Sequence, residues 1–230
     1  MELIRYTGTF PDCKAQIEKA GQRKATARQG MQDRIRQGPD SHYLEGGCWH
    51  PEGTARINGT NYWCLGKFAP TTHYPRKTLK ANKSNKYLPL TDEIKLGEKP
   101  AVQLIKEIAE QDAELPAHKK RVLIPKEQYS FPVPSEDLGD VDIAQFLARD
   151  PKLAGRYGKF LKNKCEIPKV WFNQIGNNWD NVGAGLWLHG LDLGDDSDFY
   201  GNLRGFYYAD GGSLFGVSPE VRSTSERKSL

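Results

Sequence analysis

The sequence predicts an α+β protein with helical N-terminal and middle segments, a β-hairpin, and a C-terminal β module rich in glycine and aromatic residues. Three observations predict this fold class. Apolar residues recur at helical spacing within 14–37 and 100–164. Asn58-Gly59 stands between two strand-like runs. Short aromatic and apolar runs, separated by Gly, Asn and Asp clusters, fill 166–217.

The first periodic segment, Lys14 to Gln37, predicts one broken helix or two short ones, because Gly21 and Gly30 weaken its middle. Its polar face carries more basic than acidic side chains. Such a face can neutralise phosphates, and it is equally typical of a solvated helix surface. The candidate nucleic-acid-binding residues are Arg23, Lys24, Arg28, Arg34 and Arg36.

A hairpin is predicted between 54 and 65, because Asn58-Gly59 favours the positive φ angles of a two-residue turn. The turn fixes which residues face each other across the strands. The predicted pairs are Ile57 with Thr60, Ala55 with Tyr62, and Gly53 with Cys64.

The chain has four cysteines, which is too few for a disulfide scaffold of 230 residues, so we expect reduced thiols. A metal set can still be drawn. Structural zinc sites usually begin with a close cysteine pair, and the Cys-x-His spacing here is unusual. The alternative is buried structural cysteines and ordinary polar histidines. The candidate zinc ligands are Cys48, His50, Cys64 and His73.

The stretch from Tyr74 to Lys99 is polar, basic and broken by prolines, which predicts an extended arm or connecting loop. An arm of this kind can wrap a partner subunit or contact nucleic acid, and it can also be a solvated linker. Its lysines are Lys77, Lys80, Lys83 and Lys86.

The middle segment predicts three helices. Pro100 suits the first turn of a helix through Gln111. Asp140 can cap a second helix, and Asp150-Pro151 is a cap with a first-turn proline for a third helix that ends near Lys164.

After Cys165 the pattern changes to short strands. Trp171 and Trp187 stand inside apolar runs and are predicted to be core residues, whereas Trp179 has polar neighbours and is predicted at the surface. The predicted strands are Val170–Phe172, Leu186–Leu188, Phe206–Tyr208 and Leu214–Val217. The resulting segments are 1–99 (basic helical segment, hairpin and arm), 100–165 (helical), 166–217 (β-rich recognition module) and 218–230 (flexible tail).

An acidic loop lies between the predicted strands Leu186–Leu188 and Phe206–Tyr208. Hard divalent cations prefer several oxygen ligands from one loop, so the loop is a candidate site for calcium or magnesium. Its spacing does not match an EF-hand, and an exposed acidic turn is the alternative. The candidate metal ligands are Asp192, Asp195, Asp196 and Asp198.

Three motifs near the C-terminus carry a resemblance to a known family: Asn178-Trp179-Asp180-Asn181, Ala184-Gly185, and Asn202 to Phe206. Over about the last quarter of the chain, they resemble the C-type-lectin-fold variable proteins encoded by diversity-generating retroelements, which include phage receptor-binding proteins. The resemblance implies a ligand-binding face on a rigid, irregular β scaffold, without catalysis. The candidate ligand-binding residues are Asn178, Trp179, Asp180, Asn181, Asn202, Arg204 and Tyr207.

Two functions follow from these patterns. The first is a non-enzymatic recognition or structural protein, associated with a phage or mobile element, that binds a protein or glycan ligand or assembly subunits. The alternative is a nucleic-acid-binding protein or a metal-dependent nuclease that combines the basic N-terminal face with a divalent cation in the acidic loop. Without an apolar run of membrane-spanning length or a signal-peptide pattern, we expect a soluble protein made in the cytoplasm. The resemblance to phage receptor-binding proteins implies that it is incorporated into a virion.

Overall fold

The computed structural model describes residues 2–39, 47–74, 87–188, 196–203 and 212–218. In these ranges, one mixed sheet contains eleven strands and a separate ribbon contains two. No helix of the described ranges has the length and apolar character that crossing a bilayer requires. The strands are β1 (Leu3–Gly8), β2 (Arg23–Lys24), β3 (Cys48–Ile57), β4 (Thr60–Cys64), β5 (Leu88–Pro89), β6 (Lys95–Leu96), β7 (Lys99–Pro100), β8 (Val122–Leu123), β9 (Phe131–Pro134), β10 (Lys169–Asn173), β11 (Val182–Leu188), β12 (Asp196–Leu203) and β13 (Gly212–Val217).

The main path of the sheet runs β1, β13, β3, β11, β12, β10, β9. The pairs β13–β3 and β10–β12 are parallel, and the other pairs along this path are antiparallel. Leu3 pairs with Val217, so the first described strand lies beside the last. The predicted α+β class is confirmed. The sheet, however, draws strands from the whole chain and is not confined to 166–217, and the predicted division into segments stays a prediction.

Five α-helices lie in the described residues. The predicted segment 14–37 contains parts of two of these helices, with β2 between them. Two short helices are one of the two predicted arrangements. Thr26 begins the second helix with a capping box, in which its side chain accepts from the Gln29 backbone and the Gln29 side chain accepts from the Thr26 backbone. The helices are α1 (Phe10–Lys19), α2 (Ala27–Gln37), α3 (Ala101–Gln111), α4 (Asp142–Ala148) and α5 (Pro151–Lys164).

The helices of the middle segment follow the sequence signals closely. Helix α3 matches the predicted helix through Gln111. Asp150 caps α5, because its side chain accepts from the Lys152 backbone N–H at 2.8 Å. The predicted cap at Asp140 is wrong. That residue ends a 3-10 helix, and Val141 precedes α4, so α4 begins without a side-chain cap.

The hairpin prediction is confirmed in its full register. Ile57 pairs with Thr60, and the other two predicted pairs are also observed. Asn58 and Gly59 have φ angles of 49° and 82°, as a two-residue turn of this kind requires.

A separate hydrophobic core packs on each side of the central strands. On one side, Leu188 and Phe199 pack with Tyr157 of α5. On the other side, Trp49 packs with Phe10 of α1, and the two rings meet edge-on with centroids 5.8 Å apart. Helices therefore cover both sides of the sheet, although not along its whole width.

The described part of the predicted arm, 87–99, packs against the molecule. Strand β5 pairs with β11, and β6 and β7 form the two-stranded ribbon. A solvated linker is therefore the wrong description for these residues, because five of their apolar side chains are buried. The four arm lysines named above lie outside the described residues. The described part of the arm begins at Tyr87. The buried residues are Tyr87, Leu88, Leu90, Ile94 and Leu96.

The C-terminal strands agree in part with the predicted ones. Val170–Phe172, Leu186–Leu188 and Leu214–Val217 lie within β10, β11 and β13. The predicted strand Phe206–Tyr208 falls outside the described residues. Strand β12 begins inside the predicted acidic loop, so Asp196 and Asp198 belong to a strand.

Candidate functional site

The parallel strands β10 and β12 form a pair with one buried side. Phe172 lies opposite Phe199, and their rings stack with centroids 5.2 Å apart. Val170 is also fully buried. Because side chains alternate across a strand, the residues between these three lie on the opposite side of the sheet.

That opposite side presents four half-buried side chains, Trp171, Asn173, Asp198 and Tyr200, which we name the β10–β12 face. Trp171 lies opposite Asp198, and Asn173 lies opposite Tyr200. The Asn173 amide Nδ2 donates to Asp198 Oδ1 at 3.0 Å. Burial raises the pKa of Tyr200, and the hydrogen-bonded Asp198 carboxylate raises it further. The face therefore combines two aromatic rings with an ordered amide and carboxylate.

A third aromatic ring continues this surface toward the centre of the sheet. Trp187 of β11 lies opposite Tyr200 and packs edge-on against the buried Trp49, with ring centroids 5.2 Å apart. The prediction of Trp171 and Trp187 as core residues is correct only in part, because both are half-buried. An apolar run does not tell which side of a strand is covered by other elements.

The loop 176–181 follows β10 and contains four of the predicted ligand-binding residues. Asn178, Asp180 and Asn181 are exposed. Trp179 is half-buried, because its ring packs edge-on against Tyr87 at 5.2 Å. The prediction of Trp179 as a surface residue is therefore correct only in part. Its ring is half-buried, and the contact with Tyr87 anchors the loop.

The tip of the β3–β4 hairpin holds this loop in place. The Gly59 backbone N–H donates to Asp180 Oδ1 at 2.8 Å, and the Asn58 N–H donates to Asn181 Oδ1 at 3.4 Å. Arg56 Nη2 donates to Asn177 Oδ1 at 3.1 Å. The loop is thus ordered by side-chain contacts to the turn residues of a separate hairpin.

Comparison with known proteins bears on the fold of the chain. No protein-family model and no curated protein sequence matches the chain. A solved structure from work on the accommodation of massive sequence variation in Nanoarchaeota by the C-type lectin fold superposes with a TM-score of 0.59. The match has 10% sequence identity and covers 94% of this chain and 97% of the other.

The chain has the C-type lectin fold. The predicted resemblance is therefore confirmed, and it extends over nearly the whole chain instead of the last quarter. At 10% identity the match shows the fold and not the ligand.

Of the remaining predicted ligand-binding residues, only one lies within the described part of the chain. Asn202 lies in β12, where only its backbone is described, and Arg204 and Tyr207 lie outside the described residues. Sequence reasoning missed Trp171, Asn173 and Tyr200 as site residues. The signal was present, because these residues alternate with buried apolar ones at the period of a strand.

The side chains of most predicted acidic metal ligands lie outside what the structure describes. Asp192 and Asp195 lie outside the described residues, and only the backbone of Asp196 is described. Asp198 interacts with the Asn173 amide. Among the residues that the structure describes, no group of three His, Cys, Asp or Glu side chains can hold a metal ion. The nuclease alternative depends on residues outside the described ranges and stays a prediction.

The candidate zinc ligands do not come together in the lectin fold. Cys48 Sγ and His50 Nε2 lie 3.2 Å apart in the interior, and burial lowers the pKa of His50 to about 3. Cys64 is buried in the core on the other side of the sheet. His73 is exposed, and its Nε2 lies 3.0 Å from the Lys67 carbonyl oxygen. These four side chains therefore do not form one four-ligand site in the described part of the chain.

The predicted basic residues divide into two groups in the lectin fold. Arg23, Lys24 and Arg28 line one groove. The prediction for Arg34 is wrong, because this side chain is fully buried and Nη1 donates to the Tyr157 hydroxyl at 2.9 Å. Arg36 is exposed outside the groove and forms an ion pair with Asp33.

Proposed function

We propose that this protein is a non-enzymatic recognition protein that binds a protein or glycan partner through the β10–β12 face and the loop 176–181. The observation that carries the proposal is the face itself. Two half-buried aromatic rings lie beside the ordered Asn173–Asp198 pair, on strands whose other side is fully packed.

The physical support comes from the low entropic cost of binding to such a face. Tyrosine and tryptophan bury a large area with few rotatable bonds, and an amide and a carboxylate give directional hydrogen bonds. The stacked Phe172 and Phe199 rings behind the face hold both strands in position. The groups of the face are therefore already ordered before a partner binds, so that binding costs little conformational entropy.

The sequence resemblance supports a biological setting for this role. We propose that the protein acts in a phage or mobile element, as a structural or receptor-type component incorporated into a virion. The superposition with a lectin-fold structure from Nanoarchaeota supports the scaffold of this proposal, and its partner is inferred from the chemistry of the face.

The test begins with two defined libraries, a glycan array and a displayed random-peptide library. We expect saturable binding to members of one library. Trp171→Ala and Tyr200→Ala should each weaken it at least tenfold, because aromatic anchors at the centre of an interface contribute about 2 kcal/mol or more.

A matched control is available at the opposite edge of the sheet. Tyr6 of β1 is also half-buried, and its hydroxyl donates to Gln22 Oε1 at 3.0 Å. Tyr6→Ala should leave the affinity unchanged. If the Trp171 and Tyr200 variants bind ligands from either library with unchanged affinity, the proposed site is wrong.

A further inference from the structure

A basic groove lies at the beginning of α2, away from the β10–β12 face. Its volume is about 820 Å³, and four of its eight lining residues are basic while none is acidic. Three of the four come from one short stretch of chain around β2 and α2, and the fourth comes from the turn after β4. The basic residues are Arg23, Lys24, Arg28 and Lys67.

The charges of this groove are available to a ligand. Arg23, Arg28 and Lys67 are exposed, and none of them forms an ion pair with another residue in the described part of the chain. Lys67 Nζ lies 4.9 Å from the centroid of the Phe68 ring, which holds its ammonium group near the groove.

Lys24 is the partly buried member of the set. The pKa of Lys24 is lowered to about 8, mainly by burial and also by the charge of Lys14, whereas Glu18 and Glu52 act in the opposite direction. Its ammonium group is therefore poorly solvated for a cation. An anion in the groove would replace the missing hydration and favour the charged form.

Two of the first three backbone N–H groups of α2 are already paired. The Gln29 N–H donates to the Thr26 hydroxyl in the capping box, and the Ala27 N–H donates to Glu52 Oε2 at 3.1 Å. The proposed binding capacity of the groove therefore rests on its four basic side chains.

We propose that this groove binds the phosphodiester backbone of nucleic acid without reading the base sequence. Arginine forks match phosphate oxygens in a bidentate geometry, and the groove is many times larger than one phosphate group. None of its eight lining residues is aromatic, so the groove offers no ring on which a base can stack. Contacts to phosphates alone position a strand without specifying its sequence.

The experiment measures fluorescence anisotropy of a labelled single-stranded oligonucleotide with the full chain, between 50 and roughly 200 mM salt. The test variant combines Arg23→Ala, Arg28→Ala and Lys67→Ala. Removing three phosphate contacts should weaken binding at least tenfold and reduce the slope of log K against log salt by about 2. Oligonucleotides of unrelated sequence should bind equally well.

The matched control removes the same charge elsewhere. Lys152, Arg156 and Lys159 are exposed on α5 and do not line the groove. The triple variant Lys152→Ala, Arg156→Ala, Lys159→Ala should bind the oligonucleotide like the unsubstituted chain. All six substitutions are at exposed positions, and equal thermal unfolding temperatures would verify that folding is unaffected.

Three results would overturn the proposal. The first is an unchanged affinity in the groove variant. The second is an equal loss in the α5 control, which would indicate attraction to overall charge. The third is displacement of the oligonucleotide by poly-glutamate at equal charge concentration, which would indicate a site for acidic protein segments. Trp171→Ala should leave oligonucleotide binding intact, so failure of this inference is distinguishable from failure of the proposed recognition function.

Discussion

Glu52 shows how one buried carboxyl group links the groove to the start of α2. Its side chain is 4% exposed, and it accepts a hydrogen bond from the Ala27 N–H. Burial raises the pKa of Glu52 to about 7, although the hydrogen bonds and the charges of Lys24 and Arg149 act in the opposite direction. The protonated form of Glu52 is therefore stabilised by folding.

This raised pKa predicts a loss of stability with rising pH. Between the ordinary value of 4.5 and about 7, the folded chain holds a proton that the unfolded chain has released. The contribution of Glu52 to the free energy of unfolding should therefore fall across this range, by roughly 3 kcal/mol in total. The difference between this chain and the Glu52→Gln variant, from urea unfolding at pH 5 and pH 8, measures this contribution.

Glu52→Gln isolates this effect, because glutamine keeps the acceptor for the Ala27 N–H and does not titrate. His50, whose pKa burial lowers to about 3, titrates in both proteins and cancels in the comparison. Parallel pH profiles for the two proteins would contradict the assignment.

Arg34 is the second residue whose burial determines its role. Its guanidinium donates to the Tyr157 hydroxyl and to the Leu188 carbonyl oxygen, both in the interior. Removing the hydroxyl leaves a buried charged group with one acceptor fewer. Tyr157→Phe should therefore lower the free energy of unfolding by about 2 kcal/mol, measured by urea denaturation.

Tyr129→Phe is the control for this substitution, because the Tyr129 side chain is 70% exposed. Its stability should equal that of the unsubstituted chain. If the two phenylalanine variants are equally stable, the Arg34–Tyr157 hydrogen bond does not stabilise the fold.

At the scale of elements, the β3–β4 hairpin supports the proposed recognition loop. Its turn residues, Asn58 and Gly59, donate backbone hydrogen bonds to the side chains of Asn181 and Asp180. A turn formed by local sequence thus positions a loop that is more than one hundred residues away in the chain. The rigidity of the loop depends on the geometry of that turn.

Gly59→Ala tests this dependence. The φ angle of Gly59 is 82°, which an alanine adopts only with strain, so the free energy of unfolding should fall by about 1 kcal/mol. Gly176→Ala is the control, because Gly176 has no positive φ and a Cβ there would meet nothing within 4 Å. Chemical denaturation of both variants should show a loss in the first and none in the second, and equal losses would refute the strain argument.

At the scale of the whole molecule, one sheet joins distant parts of the chain. Strand β1 pairs with β13, and the parallel pairs β13–β3 and β10–β12 require long connections. The two hydrophobic cores share the strands of this sheet. If one core loses its packing, one side of the strands that it shares with the other core becomes exposed to solvent.

We therefore predict a single cooperative unfolding transition. Tryptophan fluorescence and far-UV circular dichroism should report the same midpoint in urea, because the five tryptophans and the sheet belong to one packed unit. Separate transitions for the two probes would indicate that the predicted segments 1–99, 100–165 and 166–217 fold independently.

Local sequence was sufficient wherever the structure depends on neighbouring residues. The turn at Asn58-Gly59, the cap at Asp150 and the helix ending at Gln111 were all predictable, because backbone dihedral preferences and capping are short-range effects. The missed cap at Asp140 belongs to the same class, where a 3-10 helix replaced the expected helix start.

The candidate site was less predictable, because exposure depends on what covers each side of a strand. The apolar neighbours of Trp171 and Trp187 predict core positions, yet both side chains are only half-buried. Arg34 was assigned to a phosphate-binding face, yet α5 and β11 enclose it. In both cases the deciding contacts come from residues far along the chain.

The sequence by itself determined the α+β class, the hairpin register, the helix capped by Asp150 and the resemblance to lectin-fold variable proteins, because each follows from local patterns of residues. Only the tertiary structure decided that the sheet spans the whole chain, that Trp171, Asn173, Asp198 and Tyr200 share one face, and that three of the five predicted basic residues line one groove. The physical reason is that sheet pairing and burial are non-local. They depend on which strands meet, and that information lies in the packing of the whole chain.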